Sequence, residues 1–122
     1  MLSASGPARL RYPLVAKKLR MPVPEKFQRY ACADYFDKGW ADRGHFDEHS
    51  QTLVIALLSK TYEREDVGFF AVGRSGWDGI DFGYRIGHEG LWAYYPIDRD
   101  FKPMAPTVAE LVEGYCSGRL RV

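Results

Sequence analysis

No apolar run in the 122-residue chain approaches the roughly 20 residues that a membrane-spanning helix requires. The first residues also lack the apolar stretch and small-residue cleavage pattern of a secretory leader. Cysteine is scarce: Cys32 and Cys116 stand far apart, with neither CxxC nor Cys/His metal-ligand spacing around them. Free thiols in a reducing compartment are therefore expected, a bridge in an exported protein being the alternative. A cytoplasmic location, no membrane partner and no cofactor or metal are the matching expectations. Internal repeats, low-complexity tracts and long linkers are missing too, so residues 1–122 are expected to form one domain. Within it, the uncharged, small-residue start over 1–8 reads as a frayed terminus.

Apolar material is plentiful. Hydrophobic residues make up 46% of the chain and aromatics 15%, which excludes disorder and suffices for a core without disulfides or metal. The net charge of +1 hides an asymmetry: residues 1–30 hold seven Lys or Arg against Glu25 alone, while the remainder has ten basic and fifteen acidic residues. Such a basic arm can reach nucleic acid or membrane, or fold back on its own acidic body; the second is the expectation.

Leu10 to Leu19 reads as a strand or short extended segment, interrupted by Pro13. A helix is predicted from Pro24 to about Lys38, with proline in the first turn and Phe27, Tyr30, Ala31 and Tyr35 on one face. Gly39 is its stop. Trp40 to Gln51 is polar and predicted as a loop, and Leu53 to Leu58 as a strand buried on both faces, with a buried helix as the alternative. The polar stretch Tyr62–Asp66 precedes a strand at Phe69–Val72.

Ile80 to Ile86 alternates cleanly, placing Ile80, Phe82, Tyr84 and Ile86 on one face and Asp81, Gly83 and Arg85 on the other. Leu91–Tyr95 is the next strand. The connections Gly73–Gly79 and Gly87–Gly90 carry glycine at both ends, as hairpin turns do. A last helix starts near Thr107, where Thr107 and Glu110 have capping-box spacing and Val108, Leu111, Val112 and Tyr115 form the apolar stripe. This order predicts an α+β fold: an antiparallel meander of at least three strands, packed with a helix from the N-terminal half and a C-terminal helix.

Several constellations invite chemistry and fall short of it. His45 and His49 would share a helical face and could hold a metal, but HFDEH is not HExxH and the surrounding residues read as loop. Ser75 resembles a nucleophile elbow, yet Trp77 occupies the position where that motif needs glycine. The same glycines match neither a P-loop nor a dinucleotide fingerprint. Asp78, Asp81 and His88 could line an enzyme pocket only if the fold brings them together. Basic residues near Tyr12 and Tyr30 suit single-stranded nucleic acid, but the strands read as lacking a basic aromatic face. Trp92 and Tyr94 share one face of their strand and read as core.

Phe69-Phe70-Ala71-Val72-Gly73, Ser75-Gly76-Trp77-Asp78-Gly79-Ile80, Gly90-Leu91-Trp92-Ala93-Tyr94 and Met104-Ala105-Pro106-Thr107 form one ordered pattern, preceded by Val23-Pro24-Glu25-Lys26-Phe27. With these residues the stretch Val67–Gly118 resembles the SUKH superfamily, which contains the fungal cell-wall assembly regulator and many bacterial toxin-immunity proteins. The resemblance implies a non-enzymatic binding scaffold with no shared catalytic residue. It implies a protein partner, a toxin domain being the type neutralised by many bacterial members, often a nuclease. The residues at or next to the hairpin turns, Trp77, Asp78, Asp81 and Glu89, are then the candidate protein-binding residues, Trp77 being an aromatic anchor beside carboxylates. The rival readings are a nucleic-acid binder using the basic N-terminal segment and a small enzyme.

Overall fold

A computed structural model describes residues 22–122; the expectations for 1–8 and for Leu10–Leu19 lie outside the described residues. A five-stranded antiparallel meander organises the chain, built from β3 (Tyr62–Arg64), β4 (Phe69–Arg74), β5 (Asp81–Arg85), β6 (Leu91–Tyr95) and β7 (Asp100–Ala105) in that spatial order. A separate hairpin of β1 (His45–Asp47) and β2 (Thr52–Ile55) joins it at the end of β4, where the Ala56 N–H donates to the Val72 carbonyl at 2.7 Å. With three α-helices among the described residues, α1 (Ala33–Asp37), α2 (Trp40–Arg43) and α3 (Val108–Cys116), this is the expected α+β architecture.

Four expectations need correction. The helix predicted over 24–38 is broken into a 3₁₀ turn at Glu25–Phe27 and the short α1. Between them Tyr30 pairs with Ile86 as an isolated antiparallel bridge, so a tertiary backbone pairing overrides the local helical pattern. The apolar stripe still does its work, because Phe27, Tyr30 and Tyr35 are all buried against Phe70. The loop predicted over 40–51 contains α2 and β1. The strand predicted at 53–58 ends at Ile55, and Leu58–Lys60 forms a 3₁₀ turn. Finally, the polar stretch at 62–66 supplies β3, and β7 was not foreseen.

Strand alternation sorts the sheet into two faces. Phe70, Val72, Phe82, Tyr84, Leu91, Ala93 and Met104 meet α1, α2, α3 and the β1–β2 hairpin in the main core. Fully burying each such large side chain is worth about 1.5–3 kcal/mol relative to leaving it exposed. The opposite face carries a second cluster of Phe69, Ala71 and Tyr94, flanked by Val67, Trp92 and Phe101. Residue 83 must be glycine there, because a Cβ would overlap the Phe70 carbonyl oxygen and lie 2.8 Å from Cζ of Phe69. Ile86, expected on the core face, is instead exposed where β5 ends.

Helix α3 starts where the capping residues place it. The Thr107 hydroxyl oxygen accepts the Glu110 N–H at 3.1 Å, and the Asp34 carboxylate accepts the Val108 N–H at 2.8 Å. The reciprocal half of the capping box is replaced, since the Glu110 carboxylate accepts the Thr107 hydroxyl and not its backbone N–H. Val108 and Leu111 are buried, Val112 and Tyr115 partly so. Thr107→Ala should cost about 1 kcal/mol in chemical denaturation, the usual value of an N-cap. An unchanged midpoint would show that Asp34 alone secures the helix start.

Candidate functional site

The connection between β4 and β5 is tied internally and to α3. Ser75 is buried; its hydroxyl oxygen accepts the Trp77 N–H at 3.0 Å, and the Ile80 N–H donates to the Trp77 carbonyl at 2.7 Å. The Ser75 N–H returns to the Ile80 carbonyl at 3.0 Å, closing the loop. Gly76 (φ +84), Asp78 (φ +45) and Gly79 (φ +73) all adopt left-handed backbone, which turns the chain sharply enough to leave the indole outside. From α3 the Tyr115 hydroxyl donates to the Ser75 carbonyl. The result is a large ring on a braced turn: Trp77 is 64% exposed, the most exposed aromatic among the described residues.

Beside this turn lies an open cleft of about 720 Å³, lined among others by Asp47, His49, Asp78, Tyr95 and Tyr115. Four segments build it: the β1–β2 turn, the β4–β5 turn, the end of β6 at Tyr95, and the end of α3 with the residues after it. The Ser50 hydroxyl donates to Asp47 at 2.6 Å and holds that carboxyl below its usual range. Burial pushes the Tyr115 hydroxyl up, keeping it a neutral donor to Ser75. The cleft thus presents two carboxylates, one of them held by Ser50, with a histidine, Arg121 and tyrosine rings next to an exposed indole. Among its side chains, Asp47 is held by Ser50 and Tyr115 by the Ser75 carbonyl.

Of the four candidate residues, the structure brings Trp77 and Asp78 together at this cleft. Asp81 is not with them. It is 3% exposed on the second sheet face, where Arg64 pairs with it at 3.0 Å and the Tyr62 hydroxyl donates to it. Glu89 is exposed in the β5–β6 turn, at the opposite end of β5 from Trp77; its carbonyl accepts the Trp92 indole N–H at 3.0 Å. Asp78, Asp81 and His88 therefore do not converge on a common pocket. His45 lies on a strand and His49 in the turn after it, so the shared helical face drawn for a metal does not form. No group of three or more potential metal ligands occurs among the described residues. The Ser75 hydroxyl is occupied by the turn it stabilises.

Compared with family models, curated proteins and solved structures, the chain matches none. No described helix is long and apolar enough to cross a membrane.

Sequence reasoning missed Asp47, His49, Tyr95 and Tyr115 as cleft residues. For Tyr115 the signal was present: it ends the apolar stripe of α3 with a hydroxyl that a core position would have to satisfy. For Asp47 there is none, because the polar composition of 40–51 hides β1.

Both cysteines are free thiols. Cys32 is fully buried and burial pushes its thiol up to about 11; Cys116, partly buried beside the cleft, is raised as well. Near Cys32 the Tyr84 hydroxyl is buried without a hydrogen-bond partner among the described residues. At mildly alkaline pH a disulfide reagent should modify Cys116 slowly and leave Cys32 untouched until denaturant is added. Equal native-state rates for the two thiols would contradict this burial.

Proposed function

We propose that this chain is a non-enzymatic protein-binding domain of the immunity type, which neutralises a cognate toxin by direct contact. The observation that carries the reading is Trp77, a 64%-exposed indole on a hydrogen-bonded turn beside a cleft lined by Asp47, Asp78 and tyrosine rings. An exposed tryptophan gains most when a partner desolvates it, and it is among the residue types that dominate interface energetics. A pre-braced turn loses little conformational freedom on association. Asp78 and Asp47 alongside suit a partner with a basic surface, for which charge complementarity speeds encounter and selects the partner more than it raises affinity. The pattern shared with the SUKH superfamily over Val67–Gly118 supports the same reading.

The immunity component has its own test. A partner protein captured with the full chain from its native host is assayed for nuclease or other toxic activity while purified chain is titrated in. Inhibition that completes near equimolar chain is the expected result. Full activity in the presence of saturating chain would overturn neutralisation.

A further inference from the structure

The second sheet face is not the plain aromatic layer that its alternation suggested. Arg85, the last residue of β5, reaches over the rings of β6 and β7. Its guanidinium carbon lies 4.5 Å from the Trp92 ring centroid and 4.0 Å from that of Phe101. Arg64 lies 5.0 Å from the Tyr94 ring. The strands therefore do carry a basic aromatic face, contrary to the expectation from sequence. Two contacts fix the Trp92 platform: its indole N–H donates to the Glu89 carbonyl at 3.0 Å, and the His88 ring packs edge-on against it at 5.3 Å.

The arginines on and beside this sheet differ in how they are paired. Arg64 is paired with Asp81 at 3.0 Å, and Arg99 with Asp66 at 3.2 Å. Arg85 and the exposed Arg74 at the end of β4 have no carboxylate partner among the described residues, and of the two only Arg85 lies over rings. Residues 1–21 cannot supply one from a side chain either, because that segment contains no Asp or Glu. A half-buried guanidinium stacked on two rings has lost rotational freedom before any ligand arrives, and its planar fork matches a carboxylate.

We infer that Arg85, held over Trp92 and Phe101, is a recognition site for a carboxylate side chain of an acidic protein segment. Three observations favour that occupant over nucleic acid. Tyr94 is buried, Phe101 is covered by Arg85 itself, and Arg64 and Arg99 are already neutralised by Asp81 and Asp66. The face thus offers one uncompensated fork stacked on rings, not a row of free rings and cations for a phosphate backbone. This site is distinct from the Trp77 cleft at the other end of β5.

The test uses the full chain, isotope-labelled, with the Arg85 side-chain Nε–Hε resonance followed by NMR. The probes are a capped hexaglutamate peptide, inorganic phosphate and a short oligothymidylate. The peptide should shift the Arg85 signal saturably in wild type and in Trp77→Ala alike. Arg85→Gln should weaken peptide binding about tenfold, as expected for loss of a charge-assisted fork, and Arg85→Lys should not restore it. Both variants should stay folded, with a Tm lower by no more than a few degrees, because only the ring stacking of a half-buried side chain changes. An Arg85 signal unmoved at millimolar peptide, or equal binding by Arg85→Gln, would overturn the proposal. Tighter, Arg85-dependent binding of phosphate or of the oligonucleotide would overturn it in favour of a phosphate ligand.

Discussion

Gly73→Ala is expected to destabilise the chain by roughly 3 kcal/mol or more, at or beyond the top of the usual range for overpacking. In a domain of this size that corresponds to a Tm lower by on the order of 10–20 °C. The cause is contact, not backbone dihedral, because Gly73 is not among the positive-φ glycines. A Cβ there would overlap the Val54 carbonyl oxygen outright and lie 2.8 Å from its carbonyl carbon. Both are main-chain atoms of β2, so no side chain can swing away to make room. The register of β4 against β5 shifts between Ala71 and Gly73 at this same place, where the β1–β2 hairpin closes on the sheet. Gly83→Ala meets a comparable obstacle in the Phe70 carbonyl and should fall in the same class. Gly87→Ala is the control: its Cβ meets nothing within 4 Å, so only the left-handed backbone is penalised, by about 1–2 kcal/mol. Denaturation midpoints for the three variants would check this order, and equal midpoints for Gly73→Ala and Gly87→Ala would contradict it.

Trp77→Ala should act on binding and not on folding. The indole is mostly exposed, and the turn is held by the Ser75 hydroxyl, the Trp77 backbone and Tyr115, none of which the substitution removes. Stability should change by less than about 0.5 kcal/mol, as for other surface substitutions. Affinity for the partner should fall by about 2 kcal/mol or more, close to thirtyfold in Kd, the scale of an aromatic hot spot. A large fall in Tm with unchanged affinity would move Trp77 from the interface to the fold.

How far the sequence could be read depended on how each element manages its exposure. The central strands β4, β5 and β6 were legible because they are buried on at least one face and bounded by glycine turns. The edge strands were not. β3 is the short, charged Tyr62-Glu63-Arg64, and β7 contains Pro103; both compositions protect a sheet edge and erase the apolar pattern that announces a strand. The first helix failed for a different reason, since the Tyr30–Ile86 pairing spans 56 positions and leaves no local trace.

At the site, the turn residues Trp77 and Asp78 were visible as an aromatic and an acid between glycines. Asp81 was not separable from them by sequence. Alternation correctly set it opposite the core, but only the folded sheet reveals that Tyr62 and Arg64 close over that face and bury it. The basic aromatic face escaped for a similar reason. Its members come from separate strands, and Arg85 meets Trp92 and Phe101 only through two successive antiparallel pairings.

The most direct test compares tagged wild-type chain with Trp77→Ala, matched in Tm, as baits in extracts of the native host. Any recovered protein is then purified and titrated calorimetrically against both. A protein partner that binds wild type at a fixed stoichiometry and the variant about thirtyfold more weakly is the expected result. Repeated recovery of the chain alone, or a partner that binds both forms equally, would contradict a protein-binding domain anchored at Trp77.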